Sequence, residues 1–285
     1  MTTTLAIANQ KGGVAKTTSV ASLGAALAEL GHSVLLVDLD PQACLTFSLG
    51  IDPEDLGLSV HHVLTQGLDP LEVIVTTEDG VDLLPATIEL ARAEAELLTR
   101  TGREQVLAAV LSDLDEALAG TEDGGYDWVL LDCPPSLGVL TVAALTAADG
   151  VLVPLQCETL SHRGVGQLLD TVHDVRRFTN RGLEVWGVLP TLYDARTQHA
   201  RTVLDTISQT YDLEVVEPPI PKTIRFAEAP AVGRSILSTS RSSKGAAAYR
   251  AAAESLLRRA ERPRPTPDPP RKAGRTTARS SRKPS

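Results

Sequence analysis

Apolar residues along this chain occur in two kinds of segment that alternate with each other. Short continuous apolar runs have the length of buried strands, and between them apolar residues recur at helical spacing. The runs predict strands at residues 5–8, 34–38, 81–85, 128–132, 150–155 and 183–189. The helical spacing predicts helices at residues 16–30, 89–100, 104–118, 137–148, 164–179, 201–211 and 242–260.

Continuous apolar strands that alternate with helices are typical of a parallel sheet buried on both faces. The chain is therefore predicted to be an α/β protein with a mostly parallel central sheet and helices on both faces. We expect residues 1–261 to form this one domain. In such folds, ligands bind beyond the carboxyl ends of the strands, so the polar residues that follow the strands are the candidates for function.

The composition changes abruptly after residue 261. Residues 262–285 are rich in Pro, Arg, Ser and Thr, and they hold eight of the 27 basic residues but only one of the 36 acidic residues. This tail carries +7 and the preceding body −16, within a net charge of −9. We expect the tail to be disordered. Two interpretations of its charge stay open, namely contact with nucleic acid or another acidic surface, and solubility alone.

The remaining composition argues against several classes of protein. No apolar run approaches the roughly 18 residues of a membrane span, and the N-terminus lacks the basic and apolar regions of a signal peptide. The cysteines, Cys44, Cys133 and Cys157, are odd in number and too widely spaced for a disulfide framework or a zinc site. We therefore expect a cytoplasmic protein in which the three cysteines act as small apolar residues.

A glycine-rich segment follows the first predicted strand and leads into the first predicted helix. It comprises Lys11, Gly12, Gly13, Val14, Ala15, Lys16, Thr17 and Thr18. Glycines here let backbone N–H groups surround phosphates, and the helix N-terminus adds a favourable dipole. This context predicts a P-loop that binds ATP and Mg²⁺, with Lys16 on the β- and γ-phosphates, Thr17 on Mg²⁺ and Thr18 on the α-phosphate.

Two other predicted strands end in carboxylates. Asp38 and Asp40 lie at the end of the second strand, and Asp132 follows four apolar residues in the strand at 128–132. Side chains two residues apart in extended chain point the same way, and all three acids fall near the predicted position of Mg²⁺ and water. We expect Asp132 to hold Mg²⁺ in the Walker B manner and Asp38 to lie in the next layer around the ion.

The glycine-rich loop departs from the common G-x-x-x-x-G-K-[ST] pattern, because Gln10 and Ala15 replace its glycines. It fits K-G-G-x-x-K-[ST] and so resembles the deviant Walker A loop of the ParA/MinD family of P-loop ATPases. The resemblance implies an ATP-bound homodimer in which Lys11 reaches the partner's nucleotide, where a cation stabilises charge on the transferring phosphoryl group. It also implies that Asp40, which precedes Pro-Gln, positions the attacking water.

The resemblance extends to two segments in the C-terminal third. Residues 192–197 and 220–230 are similar to the ParA-type segments YDxRT and IPRxVRxxEAP. By this resemblance the second segment, with Pro221 and Lys222, holds the adenine, and arginines from both segments bind DNA without sequence preference. The matching or neighbouring basic residues are Arg196, Lys222, Arg225, Arg241 and Lys244. Binding through phosphates alone should weaken steeply with salt.

The resemblance implies a partitioning ATPase of ParA type, associated with the nucleoid, whose hydrolysis of ATP on double-stranded DNA is slow and is stimulated by a ParB-like partner. Three alternatives stay open. A membrane-cycling ATPase of MinD type needs an amphipathic C-terminal helix, and the tail has no large apolar residue. A metabolic or metal-carrier enzyme needs insertions that the sequence lacks. A scaffold that binds ATP only as a switch is the third. Ala15 has no explanation in the sequence.

Overall fold

The computed structural model describes residues 2–121, 124–158 and 161–262. Its strands are β1 (Thr3–Ile7), β2 (Val34–Asp38), β3 (Val75–Thr76), β4 (Asp82–Leu84), β5 (Trp128–Asp132), β6 (Gly150–Gln156) and β7 (Glu184–Thr191). They form one sheet in the order β3-β4-β2-β5-β1-β6-β7. Among these strands only β3 pairs in the antiparallel sense, so the predicted mostly parallel sheet is confirmed.

The helices are α1 (Lys16–Glu29), α2 (Cys44–Ser48), α3 (Val60–Gln66), α4 (Leu90–Leu98), α5 (Val106–Leu118), α6 (Val139–Ala147), α7 (Ser161–Phe178), α8 (Gln198–Tyr211), α9 (Arg225–Glu228), α10 (Ile236–Thr239) and α11 (Lys244–Ala260). Single 3₁₀ turns lie at Pro70–Glu72, Arg103–Gln105 and Pro230–Val232. None of the helices in the described part of the chain is both long and apolar enough to cross a membrane.

The sheet divides the apolar core in two. In β1, Leu5 and Ile7 pack with residues of α1 and α11, whereas Ala6 and the following Ala8 pack with residues of α5, α6 and α7 on the opposite face. All four side chains are fully buried. Because successive side chains of a strand point to opposite faces, a strand covered by helices on both sides must be apolar throughout. This explains why the central strands read as unbroken apolar runs.

The predicted elements agree with the observed ones to within three residues at each end. The largest differences are the starts of α7 and α8, which begin at Ser161 and Gln198 rather than at 164 and 201. The segment at 104–118 opens with a 3₁₀ turn before α5 begins. Five short elements were not predicted, namely α2, α3, β3, α9 and α10. Each has seven residues or fewer, which is too short for a periodic pattern.

Gly150, the first residue of β6, packs tightly against Trp186 of β7. A Cβ added to Gly150 would lie 2.3 Å from Nε1 of Trp186. Trp186 in turn packs edge to face on Trp128 of β5, with ring centroids 6.1 Å apart. Only a residue without a side chain therefore fits at the start of β6.

Asp79, in the turn between β3 and β4, joins that edge of the sheet to the C-terminal part of the chain. Its side chain is buried, and it accepts hydrogen bonds from Ser235 N (2.6 Å) and Ser238 Oγ (2.5 Å). Arg234 contributes a further hydrogen bond from Nε (3.3 Å). The same turn holds Glu78, whose side chain is exposed and lies 3.6 Å from Arg234.

The structure tests the prediction about the cysteines. All three cysteines are free, and Cys133 and Cys157 are buried as expected, but Cys44 is exposed. The prediction was wrong for Cys44 because this residue opens α2, a surface helix that the sequence pattern did not predict. The predicted tail at 262–285 lies outside the described residues except for Arg262, which pairs with Glu214 (3.2 Å).

Candidate nucleotide-binding site

The glycine-rich loop connects β1 to α1 at the carboxyl edge of the sheet. Gly13 (φ 72°) and Ala15 (φ 63°) have left-handed backbone, which is typical of the N–H-lined turns that bind anions. The side chain of Asn9 connects the loop to β6. Its Oδ1 accepts a hydrogen bond from Lys11 N (3.0 Å), and its Nδ2 donates to the carbonyl of Pro154 in β6 (2.8 Å). The loop therefore has a fixed shape next to two strands.

The two lysines of the loop lie in different environments. Lys16 is 7% exposed, and its ammonium donates a hydrogen bond to the Lys11 carbonyl (3.2 Å). Burial lowers the pKa of Lys16, and the nearby carboxylate of Asp132 acts in the opposite direction. The side chain of Lys11 is one-third exposed and pairs with Glu158, which follows β6 (2.5 Å). Lys16 thus faces the interior of the site and Lys11 its outer rim.

Two carboxylates face each other where β2 and β5 end. Asp38 and Asp132 are partners in the parallel register of these strands, and both are fully buried. Burial raises the pKa of Asp132 well above its usual range, and the neighbouring Asp38 raises it further. Thr17 and Lys16 act in the opposite direction.

The Asp132 carboxylate fits a cation. No well-formed hydrogen bond reaches either of its oxygens within the described residues, although the Thr17 hydroxyl lies near enough to lower its pKa. A buried carboxylate that lacks donors is costly unless a cation compensates its charge. Carboxylate and hydroxyl oxygens are the donors that Mg²⁺ prefers, and Thr17, at the N-terminus of α1, supplies such a hydroxyl. Asp132 and Thr17 therefore suit the Mg²⁺ site that the sequence predicts.

Asp38, by contrast, has both oxygens engaged by protein donors. Its Oδ2 accepts hydrogen bonds from Thr46 N (2.9 Å) and Thr46 Oγ1 (2.7 Å), and its Oδ1 accepts one from Asp40 N (3.1 Å). Burial raises the pKa of Asp38 to about 6, although the hydrogen bonds from Thr46 lower it. Asp40 is half-buried and accepts a hydrogen bond from Gln42 N (3.0 Å). The roles of Asp38 near the ion and of Asp40 at the water stay predictions.

The segment predicted to hold the adenine is joined to the end of β7, beside the loop. Tyr193 N donates a hydrogen bond to the Ile220 carbonyl (2.9 Å), and Lys222 N donates one to the Tyr193 carbonyl (3.2 Å). Thr191, the last residue of β7, donates from Oγ1 to the Val14 carbonyl (2.9 Å). The end of β7 is therefore joined both to the glycine-rich loop and to the segment that contains the predicted adenine contacts.

Three of the predicted DNA contacts lie near one another. Arg196, whose side chain is 90% exposed, makes a bidentate pair with Asp194, with both distances 2.9 Å. Hydrogen bonds from Arg196 and, to a smaller extent, the charge of the nearby Lys222 lower the pKa of Asp194 to about 2. Arg225 follows Lys222 by three residues and pairs with Glu228 (2.9 Å).

The other two predicted contacts differ from each other. Lys244 is exposed at the first residue of α11. It lies beside α9, because an added Cβ on Gly245 would be 2.8 Å from the ring of Phe226. Arg241 instead reaches Glu29 at the C-terminal end of α1 (3.5 Å). Lys244 therefore lies in the neighbourhood of Arg225, the first residue of α9, whereas the side chain of Arg241 lies beside Glu29.

Sequence reasoning missed four side chains that shape the site. These are Asn9, Thr46, Glu158 and Thr191. Three of them contact residues more than 140 positions away, and a single sequence carries no signal for such pairs. Thr46 lies only eight residues after Asp38, but the short helix that carries it was not predicted.

Known proteins are similar in sequence to this chain over most of its length. Residues 2–185 match the family model AAA_31, described as an AAA domain. The chain is 42% identical over 246 residues to the sporulation initiation inhibitor protein Soj of Bacillus subtilis, a match that covers 86% of this chain and 94% of that protein. It is 45% identical over 257 residues to the chromosome-partitioning ATPase Soj of Thermus thermophilus, which covers 90% and 96%.

One solved structure is similar in both sequence and fold. It is the cobyrinic acid a,c-diamide synthase from Mycobacterium smegmatis with bound ADP and magnesium. The identity is 54%, the TM-score is 0.80, and the match covers 94% of this chain and 100% of that one. Its ADP and magnesium agree with the nucleotide and ion predicted from the loop. These matches show that the chain belongs to the AAA_31 family, together with the Soj/ParA chromosome-partitioning ATPases.

Proposed function

We propose that this chain is a ParA-type partitioning ATPase. It binds ATP and Mg²⁺, dimerises in the ATP-bound state, binds double-stranded DNA without sequence preference, and hydrolyses ATP slowly until a ParB-like partner stimulates it. The observation that carries the proposal is the separate placement of the two loop lysines. Lys16 is buried beside Asp132, whereas Lys11 lies on the outer rim in a surface ion pair, a kind of contact that is weak and easily exchanged.

Phosphoryl transfer depends mainly on positioning and on electrostatic stabilisation. The N–H groups of the loop and the Lys16 ammonium hold the β- and γ-phosphates, while Asp132 and Thr17 hold Mg²⁺. When bound there, Mg²⁺ would supply the positive charge that compensates the phosphate oxygens. Asp40 accepts a hydrogen bond from the attacking water. Lys11 leaves Glu158 to contact the partner's nucleotide, which makes full activity depend on the dimer.

The DNA surface in this proposal comprises Arg196, Lys222, Arg225 and Lys244. Arg196 already makes a forked pair with a carboxylate (both distances 2.9 Å), and a phosphate accepts the same fork. Exposed ion pairs contribute little stability, so exchange of Asp194 for a DNA phosphate costs little. Arg241 pairs with Glu29 at a longer distance (3.5 Å), and by the same argument it can exchange this carboxylate for a phosphate. The basic tail, which lies beyond the described residues, adds further phosphate contacts.

Steady-state ATP hydrolysis tests the catalytic part of the proposal. We expect Lys16→Ala to abolish nucleotide binding and Asp40→Ala to slow hydrolysis while ATP still binds. Lys11→Ala should still bind ATP as a monomer but lose dimerisation and the stimulation that follows. Wild-type hydrolysis in monomeric Lys11→Ala would overturn the proposal.

DNA binding is tested by titration of a labelled random-sequence duplex at several salt concentrations. Arg196→Ala and Arg225→Ala should each weaken binding. Each should also reduce the slope of log K against the logarithm of salt concentration by about one, which is the loss of one phosphate contact. Arg181→Ala is the matched control, because Arg181 is also exposed but precedes β7, at the end of that strand opposite to the end that Arg196 follows. Equal losses in all three variants would mean that only net charge matters.

The name of the M. smegmatis protein suggests a second candidate, an ATP-dependent amide synthase. If glutamine supplied the nitrogen, the enzyme would need an activated thiol. The thiols here are unsuited to that role, because burial raises the pKa of Cys44, Cys133 and Cys157. ATP hydrolysis that depends on cobyrinic acid and glutamine, with a diamide product seen by mass spectrometry, would favour the synthase. We expect DNA rather than cobyrinic acid to affect hydrolysis.

A further inference from the structure

Thr46 lies at a buried junction of three parts of the chain. Its hydroxyl donates a hydrogen bond to Asp38 Oδ2 (2.7 Å) and accepts one from Ala86 N (2.9 Å), and its own N–H donates to the same Asp38 oxygen (2.9 Å). Thr46 is fully buried. The junction therefore connects the end of β2, the helix α2 and the chain that follows β4.

The chemistry of the partners fixes the direction of the Thr46 hydrogen bonds. A backbone N–H can only donate, and an ionised carboxylate can only accept. The hydroxyl must therefore donate to Asp38 while it accepts from Ala86. Valine has the shape of threonine but can do neither, whereas serine can do both. The junction thus depends on the hydroxyl group rather than on the volume of the side chain.

The junction continues from Thr46 into the predicted catalytic loop. One oxygen of Asp38 is held by Thr46, and the other accepts the N–H of Asp40 (3.1 Å). Because Asp38 and Asp132 are register partners, a shift of Asp38 would move Asp40 relative to the metal ligand. The position of the predicted water-orienting carboxylate therefore depends on Thr46 through one intervening side chain.

The junction also extends outward from the site. Thr87 follows Ala86, and its hydroxyl lies 3.2 Å from Ser59 Oγ, within hydrogen-bonding distance. Val60, the first residue of α3, donates its N–H to the Pro85 carbonyl (2.8 Å). A movement of α2 is therefore coupled to α3 as well as to the site.

We propose that Thr46 is a positioning residue for ATP hydrolysis, which fixes Asp40 through Asp38. This inference rests on the hydrolytic function proposed above. The described hydrogen bonds of the Thr46 side chain and N–H go to Asp38 and Ala86, rather than to the glycine-rich loop. Loss of the hydroxyl therefore acts on turnover, while nucleotide affinity is retained.

Kinetics of Thr46→Val and Thr46→Ser test this role. We expect Thr46→Val to lower kcat about 10- to 100-fold, since a shift of about 1 Å can cost this much, with KM for ATP changed less than about threefold. Thr46→Ser should restore kcat to within about threefold of wild type. Wild-type kcat in Thr46→Val, or equal loss in both variants, would overturn the proposal.

Hydrogen exchange provides a second readout that needs no turnover. In the wild type the amides of Asp40 and Ala86 are hydrogen-bonded in the junction, and Thr46→Val should increase the exchange rates of both, about tenfold or more. Unchanged exchange at Asp40 would overturn the coupling even in a variant that hydrolyses slowly. If the wild type hydrolysed no ATP, the proposed function and the hydrolytic role of Thr46 would both fail, while the exchange data would still test the junction.

Discussion

Replacement of Ala15 by glycine should stabilise this protein. Ala15 precedes α1 with φ 63° and ψ 36°, a left-handed conformation that costs a residue with a Cβ roughly 1–2 kcal/mol. Glycine removes this cost but loses about 0.5–1 kcal/mol more conformational entropy on folding than alanine does. The net expectation is a gain of about 0.5–1 kcal/mol in the free energy of unfolding.

Two other positions calibrate this value. Gly13 has nearly the same φ (72°), and no atom lies within 4 Å of a Cβ added there. Gly13→Ala should therefore lower stability through the backbone alone, by about 1 kcal/mol. Ala109 is exposed within α5, so Ala109→Gly should cost about 1 kcal/mol, as glycine does inside a helix.

Urea unfolding followed by tryptophan fluorescence measures all three variants. An unchanged slope with a higher midpoint for Ala15→Gly would indicate a change in stability alone. For a domain of this size, the midpoint of thermal unfolding should rise by about 1–3 °C. If Ala15→Gly lowered stability as Ala109→Gly does, the argument from backbone strain would be wrong.

Three further expectations follow from buried contacts. Asp79→Ala should lower the free energy of unfolding by about 2–4 kcal/mol, because it leaves buried donors unpaired. Glu78→Ala, on the exposed side of the same turn, should lower it by less than about 0.5 kcal/mol. Urea unfolding measures both variants. Gly150→Ala should cost about 1–3 kcal/mol through overpacking, and Gly57→Ala, where no atom lies within 4 Å of the added Cβ, should be nearly neutral by the same measurement. Iodoacetamide should label Cys44 alone in the folded protein. Labelling should be slow at neutral pH, because partial desolvation of this surface thiol and the nearby carboxylates of Asp40 and Asp38 raise its pKa. Mass spectrometry would reveal labelling of the two buried cysteines, which should occur only after unfolding.

The sequence predicted the core of the fold because burial on both faces leaves a strong local pattern. The strands at 34–38 and 128–132 were predicted with their observed bounds, and α1 to within one residue. The short helices α2 and α3 could not be predicted in this way. Their positions depend on contacts with distant parts of the chain, such as the hydrogen bond from Val60 N to Pro85, rather than on a repeating pattern.

The site was predicted as a set of residue types but not as a network. The glycine-rich loop, Asp38 and Asp132 all lie at the expected edge of the sheet. The hydrogen-bond partners of these groups could not be predicted, because Asn9 and Thr191 bind carbonyl groups 145 and 177 residues away.

The role of Ala15 could not be explained from the sequence either, because its explanation lies in the backbone conformation. Its left-handed backbone explains why the common pattern has glycine there, since glycine adopts this conformation without the cost of a Cβ. Ala43, before α2, has the same conformation (φ 51°). Both strained alanines precede helices at the edge where the nucleotide is proposed to bind, and strained residues of this kind concentrate at functional sites.

Residues of identical type acquire different roles here through their surroundings alone. Lys16 and Lys11 belong to one loop, yet Lys16 is buried inside the site whereas Lys11 is partly exposed on its rim. Asp38 and Asp132 are register partners, yet three protein donors hold the first, whereas no well-formed hydrogen bond reaches the second in the described part of the chain. In the proposed site, Asp132 is therefore the carboxylate that would hold a cation, and Asp38 links Thr46 to Asp40, which is predicted to orient the water. The proposed effect of Thr46→Val follows from this difference, since the hydroxyl of Thr46 engages the first carboxylate and leaves the second to the ion.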